Sequence, residues 1–171
     1  MRIWQSSVVG ILLLLSLSQA DAQTNTIPLT PTNNITDFPQ LVAAVESGND
    51  VRAIVHFDNC QVTGSKLQEQ LRSKLDGATT RFNFTQYFHG KENVNDRLID
   101  TVTTSMKIFI ESSSGKVLTL SGRLSVFEDN TAILHVDFFD PILHQQKLVV
   151  DWSCTISNGE DNNGLVLFNF S

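Results

Sequence analysis

The sequence predicts a mainly β domain. It reads as an antiparallel meander of about seven to eight strands behind one N-terminal amphipathic helix, closed as a barrel or folded as a sandwich, with a lipocalin-like barrel among the options. Three observations carry this. Short stretches of alternating apolar residues, separated by turn residues, run from Phe82 to Phe170. A single stripe with helical period precedes them. Two cysteines, Cys60 and Cys154, close two strand-like stretches that lie far apart in the chain. Residues 37–171 are thus expected to form one domain, after a signal peptide over 1–22 and a flexible segment over 23–36.

The N-terminal reading rests on Arg2, the apolar run Val8 to Leu17 (VVGILLLLSL) and the small-x-small sequence Ala20-Asp21-Ala22. Together they have the layout of a secretory signal. The run is shorter than the roughly 20 residues that span a bilayer, so the product is expected to be secreted without a membrane span. Residues 23 to 35 (QTNTIPLTPTNNI) have no apolar period.

In the helix, Thr36 or Asp37 can cap and Pro39 fits the first turn, while Gly48 ends it. Phe38, Leu41, Val42 and Val45 fall at i, i+3, i+4 and i+7 and make the apolar stripe. The opening strand follows, with Val51, Ala53, Val55 and Phe57 toward the core and Arg52, Ile54, His56, Asp58 and Cys60 on the opposite side. Between Gly64 and Gly77, Leu67, Leu71 and Leu75 suggest a short surface helix.

From there the pattern is β. Phe82, Phe84, Gln86 and Phe88 alternate with Asn83, Thr85 and Tyr87, and the charged run His89 to Arg97 reads as a loop. Val102, Thr104, Met106, Ile108 and Ile110 alternate next, and Ser112-Ser113-Ser114-Gly115 makes a turn. Leu118, Leu120, Leu124 and Val126 then face inward, with Gly122 marking a bend or bulge. The turn Glu128-Asp129-Asn130 leads to a strand over 132–139, and Leu148 to Ile156 holds Cys154. A polar loop follows, and Leu165 to Phe170 closes the domain.

Charge narrows the partners. A net charge of −6, with the acidic residues scattered, argues against nucleic acid and anionic membranes, which both need clustered Lys and Arg. In an oxidising compartment Cys60 and Cys154 are expected to pair. Asn34-Ile35-Thr36 and Asn83-Phe84-Thr85 are glycosylation sequons, so Asn34 and Asn83 are the expected acceptors. Asn169-Phe170-Ser171 also matches, at the end of the chain.

The helix-then-strand text Leu41 to Gly48 followed by Val51 to Val55 and Cys60 resembles the start of VirK-family proteins. The later strand with Arg123, the turn at Glu128-Asp129-Asn130, the strand through Phe138 and the return to Cys154 fit as well. The resemblance covers roughly residues 37 to 170 and departs from the family pattern over Ser65 to Asp76 and in the sequons. It implies a small secreted domain with one disulfide, and it brings no catalytic residue with it.

Chemistry has two candidate constellations, His56-Phe57-Asp58 and His135-Val136-Asp137. Residues two apart on a strand share a face, so each pair can present imidazole and carboxylate together, for acid/base work or for a metal. If the two strands were neighbours, four ligands would converge. Solvated polar positions are the plainer explanation. No nucleophile elbow, Cys-x-x-Cys, zinc-protease helix or phosphate loop is present.

The phenylalanines offer another class of function. Phe82, Phe84, Phe88 and Phe138 either fill the core or line a barrel cavity, while Phe109, Phe127 and Phe139 fall on outward faces. The expected function is therefore a secreted, single-disulfide binding domain that is not an enzyme and needs no cofactor or metal. Its partner would be an extracellular protein, a glycan or a small apolar ligand. A lipocalin-like carrier is the alternative within that class. A hydrolase or metal-binding protein using His56/Asp58 or His135/Asp137 is the alternative outside it.

Overall fold

The alternation seen in the sequence is resolved by a computed structural model, which describes residues 33–63, 77–94, 96–111 and 115–170. The signal-like residues 1–22, the helix expected between Gly64 and Gly77 and the Ser112–Ser114 turn lie outside the described residues. Helix α1 (Phe38–Glu46) is capped by Asp37, whose carboxylate accepts the Gln40 N–H at 2.9 Å. It buries Phe38, Leu41 and Val45 of the expected stripe, together with Ala44, while Val42 is only half-buried.

Ten strands form two antiparallel sheets among the described residues. Strands β1 (Asn33–Ile35), β10 (Leu165–Phe170), β2 (Asp50–His56) and β4 (Thr79–Asn83) make a four-stranded sheet in that order. Strands β3 (Gln61–Thr63), β9 (Gln145–Thr155), β8 (Thr131–Asp140), β7 (Val117–Phe127), β6 (Arg97–Glu111) and β5 (Tyr87–Val94) make a six-stranded one. The sheets are separate, each with two edges. The barrel alternative, and with it a lipocalin-like interior, is therefore replaced by a sandwich.

The core lies between the sheets. Val51, Ala53, Val55, Leu165, Leu167 and Phe82 from one side meet Val102, Leu124, Leu134 and Trp152 from the other. Helix α1 packs on β1 and β2, and Phe38 meets the ring of His89 on β5 edge-on, so the helix bridges the two sheets. No helix of the described residues is long and apolar enough to cross a membrane.

Four passages carry the chain between sheets; the one from β3 to β4 runs through residues outside those described, and each of the other three is pinned. Between β2 and β3 a 3₁₀ turn (Phe57–Asn59) leads to Cys60, which is bonded to Cys154 on β9. A Cβ on Gly164 would collide with the Cys60 Sγ, so the β9–β10 connection can cross the disulfide only as glycine. Between β4 and β5 the buried Thr104 hydroxyl lies 2.8 Å from the Asn83 carbonyl and 2.9 Å from that of Gln86, and donates to this turn. Between β9 and β10, Asp161 accepts the Ser157 hydroxyl and the N–H groups of Asn158 and Asn163. These donors hold the Asp161 carboxyl below the usual carboxylate range, the Ser157 hydroxyl most of all.

Several local expectations are corrected. Asn33–Ile35, assigned to the flexible segment, pairs with β10 as an edge strand. The run His89 to Arg97 is no loop but the β5–β6 hairpin, because ladder pairing with a long partner outweighs the poor strand propensity of its charged residues. The Phe82–Phe88 strand breaks at the turn after Phe84, which leaves Phe82 and Phe84 in the core and Phe88 61% exposed. Gly122 makes no bulge. It pairs in register with Met106, and its missing side chain lets the Phe82 ring approach; the irregularity falls at Phe138/Phe139 instead. Of the three outward phenylalanines, Phe109 is exposed and Phe139 half-buried, but Phe127 is buried.

Candidate functional site

The six-stranded sheet turns one face to the core and the other outward, and the outward face collects polar side chains. In one cross-strand row stand Ser105, Arg123, His135, Asp151 and Thr63, from β6, β7, β8, β9 and β3 in turn. The next row holds Thr103, Ser125, Ile133, Ser153 and Gln61. Alternation alone forces both rows outward once Leu124, Leu134 and Trp152 face the core.

At the centre, His135 Nδ1 lies 2.6 Å from Asp151 Oδ1, with the two side chains 36% and 41% exposed. Thr103 and Ser125 share a hydrogen bond of 3.0 Å, and the Thr103 hydroxyl also lies 3.2 Å from the Glu92 carboxylate, to which it can donate. Glu92 pairs with Ile99, four residues from Thr103 along β6. In a flat ladder that offset is about 13 Å. The contact therefore requires the β5–β6 hairpin to coil over the face, where Thr101, Ser125 and Phe127 are buried.

The coil leaves two depressions. One, about 380 Å³, is lined by Gln86, Ser105, Lys107, Ser121 and the Arg123–His135 pair. The other, about 330 Å³, lies under the hairpin against Glu92, Asn93, Ser125, Phe127 and the same pair. Arg123 and His135 form the ridge between them. Among the described residues Arg123 makes no ion pair, so its five donors remain available.

The candidate pairs of the sequence do not converge. His56 stands at the end of β2 on the outer face of the four-stranded sheet, and Asp58 lies in the following 3₁₀ turn, where it accepts the Gly77 N–H at 3.1 Å. His135 is on the opposite side of the sandwich, and its carboxylate is Asp151 rather than Asp137, which instead accepts from Gln146 Nε2 at 3.1 Å. Among the described residues no group of three or more His, Cys, Asp or Glu side chains could hold a metal ion. Asp151, Arg123, Ser125 and Glu92 escape sequence reasoning because the register that brings them together is set between strands. The Val149, Asp151, Ser153 alternation is the one visible hint of Asp151.

A second histidine is also flanked by carboxylates. His89 on β5 lies 2.8 Å from Glu46 of α1 and 3.2 Å from Asp100 of β6, and it ties the helix to the sheet. Its edge-on packing against Phe38 gives it a structural role.

The outer face of the four-stranded sheet is different in character. Val166, Phe168 and Phe170 of β10 lie beside Arg52 and Ile54 of β2 and Arg81 of β4. The Arg52 guanidinium lies over the Phe170 ring, 4.5 Å from its centroid, and its hydrogen bond with Asp50 raises its pKa above the ordinary value. Asn34 and Asn83 are both exposed on this side.

Comparison with known proteins places the fold. No curated protein matches the chain. A crystal structure of a VirK family protein from Legionella pneumophila is similar, with a TM-score of 0.58 over 79% of this chain and 98% of that one, at 13% identity. At that identity the likeness is one of fold. The family model described as VirK protein matches residues 34–142, from β1 into the β8–β9 turn and including Arg123 and His135. That span is more than half of the sequence, and the chain belongs to the VirK family.

Proposed function

We propose that the protein is a secreted, non-catalytic recognition domain that binds an acidic saccharide on the outer face of the six-stranded sheet. The observation that carries this is an unpaired Arg123 in the middle of a hydroxyl-bearing face. Hydroxyls both donate and accept, which suits a polyol, and a free guanidinium suits a carboxylate. Asp151 fixes the orientation of His135, which lines the same two depressions as Arg123. Secretion is supported by the signal-like N-terminus.

A hydrolase would ask more of this face. The His135–Asp151 pair has the orientation logic of a catalytic dyad, but a nucleophile must be hydrogen-bonded to the ring, and none is among the described residues. Both side chains are also more than a third exposed. Neither a positioned nucleophile nor a water-excluding cleft supports catalysis.

The test is calorimetric titration of the folded protein with uronic-acid oligosaccharides and with neutral ones of equal length. The acidic series should bind and weaken with added salt, and Arg123→Ala should reduce its affinity at least tenfold. Equal binding of both series, or an unaltered Arg123→Ala, would reject the reading.

A further inference from the structure

The two sequons, far apart in sequence, meet in one row of the structure. Asn34 of β1 pairs with Phe168 of β10, Phe168 with Arg52 of β2, and Arg52 with Asn83 of β4. The two asparagines thus stand at opposite edges of the four-stranded sheet, on its outer face, with the ring of Phe168 between them. The same face carries Ile54, Val166 and Phe170, and a depression of about 210 Å³ lies between Arg52, Ile54, Arg81 and the two rings.

We infer that N-linked glycans at Asn34 and Asn83 cover this aromatic face and both of its edge strands. The inference rests on the proposed secretion, since the modification needs the secretory pathway. In the transfer, the side-chain amide nitrogen attacks the anomeric carbon of an oligosaccharide carried on a polyprenyl diphosphate. A C–N bond forms, the C1–O bond breaks, the diphosphate leaves with the electron pair, and the amide loses one proton. Thr36 and Thr85 supply the hydroxyl that each sequon needs.

The apolar face of a sugar ring suits half-buried phenylalanines, which otherwise form an apolar patch. Bulk at β1 and β4 also blocks the unpaired backbone groups through which an edge strand recruits another chain. The third sequon falls on the wrong side. Asn169 alternates with Phe168 and Phe170, and its side-chain oxygen is buried where β10 meets α1, beside Ala44 and Gln40.

The test expresses the full chain, with its own N-terminal segment, in a eukaryotic cell that performs N-glycosylation. Peptide mapping follows release of glycans by an amidase in heavy-oxygen water. Label is expected at residues 34 and 83 and not at 169. Amidase treatment of the folded protein should then raise binding of an apolar fluorescent dye at least twofold, and F168S/F170S should cancel that rise. Protein that reaches the medium without label at both sites, or that binds no more dye after treatment, overturns the inference and leaves secretion standing. Protein retained in the cell overturns the secreted reading and the inference with it.

Discussion

The two outer faces of the sandwich obey the same alternation and carry opposite chemistry. On the six-stranded sheet the outward positions around its centre include Thr103, Ser105, Arg123, Ser125, His135 and Asp151, with Ile133 the one apolar residue in those two rows; on the four-stranded sheet they include Ile54, Val166, Phe168 and Phe170 with two arginines. Folding needs only that the inner positions be apolar, as Leu124, Leu134, Val55 and Leu167 are. The outer positions are free of that demand, which leaves one face largely polar, as the proposed saccharide site requires, and the other aromatic, as the proposed glycan cover requires.

Removing what both faces share should have the largest effect. With the bonded cysteines 94 positions apart in sequence, C60S/C154S is expected to lose roughly 4–5 kcal/mol of stability on the chain-entropy estimate, read from denaturant unfolding under oxidising conditions. A midpoint unchanged by the double substitution would show that the β2–β3 passage holds without its staple.

The faces should then separate. Phe127 lies on the polar face but is buried under the coiled hairpin, so Phe127→Ala should cost about 3–5 kcal/mol. Phe168, half-buried on the aromatic face, should cost about 1–2 kcal/mol as alanine. Thermal unfolding of the two variants, measured on protein without glycans, compares them directly; the reverse order would refute the coil over the face.

Arg123→Ala should change stability by no more than about 0.5 kcal/mol while removing saccharide binding. Loss of both together would make Arg123 a structural residue.

The smallest effect belongs to the loop that leads from one face to the other. Asp161 titrates lower in the folded protein than the roughly 3.9 of an unfolded aspartate. Its contribution is therefore present above that unfolded value and is lost as pH falls through the lower folded one. Asp161→Asn should flatten this acid limb of the unfolding curve and leave the neutral region nearly unchanged.

Much of the architecture was legible because it is local. The Phe38–Val45 stripe, the Asp37 cap and the core set Val51, Ala53 and Val55 follow from period and composition, whereas the strand expected to run to Cys60 ends at His56, and the 3₁₀ turn after it swings Cys60 from the expected outward side into the core. Where backbone pairing overrode composition, reading failed. His89 to Arg97 became a strand because β6 offers it a ladder, and Phe88 changed face because the chain turns after Phe84.

What the residues alone could not convey is which strand lies beside which. A period of two states that His135 and Asp137 share a face, yet it is silent on the register of β8 against β9 that sets His135 beside Asp151. It likewise shows two sequons without the row that places both around Phe168. Side-chain alternation is written along one strand, whereas pairing and register are settled by backbone hydrogen bonds and core packing between distant ones. The chain thus encodes the inner and outer side of each strand locally, and the tertiary structure alone assembles the two faces and brings Cys60 to Cys154.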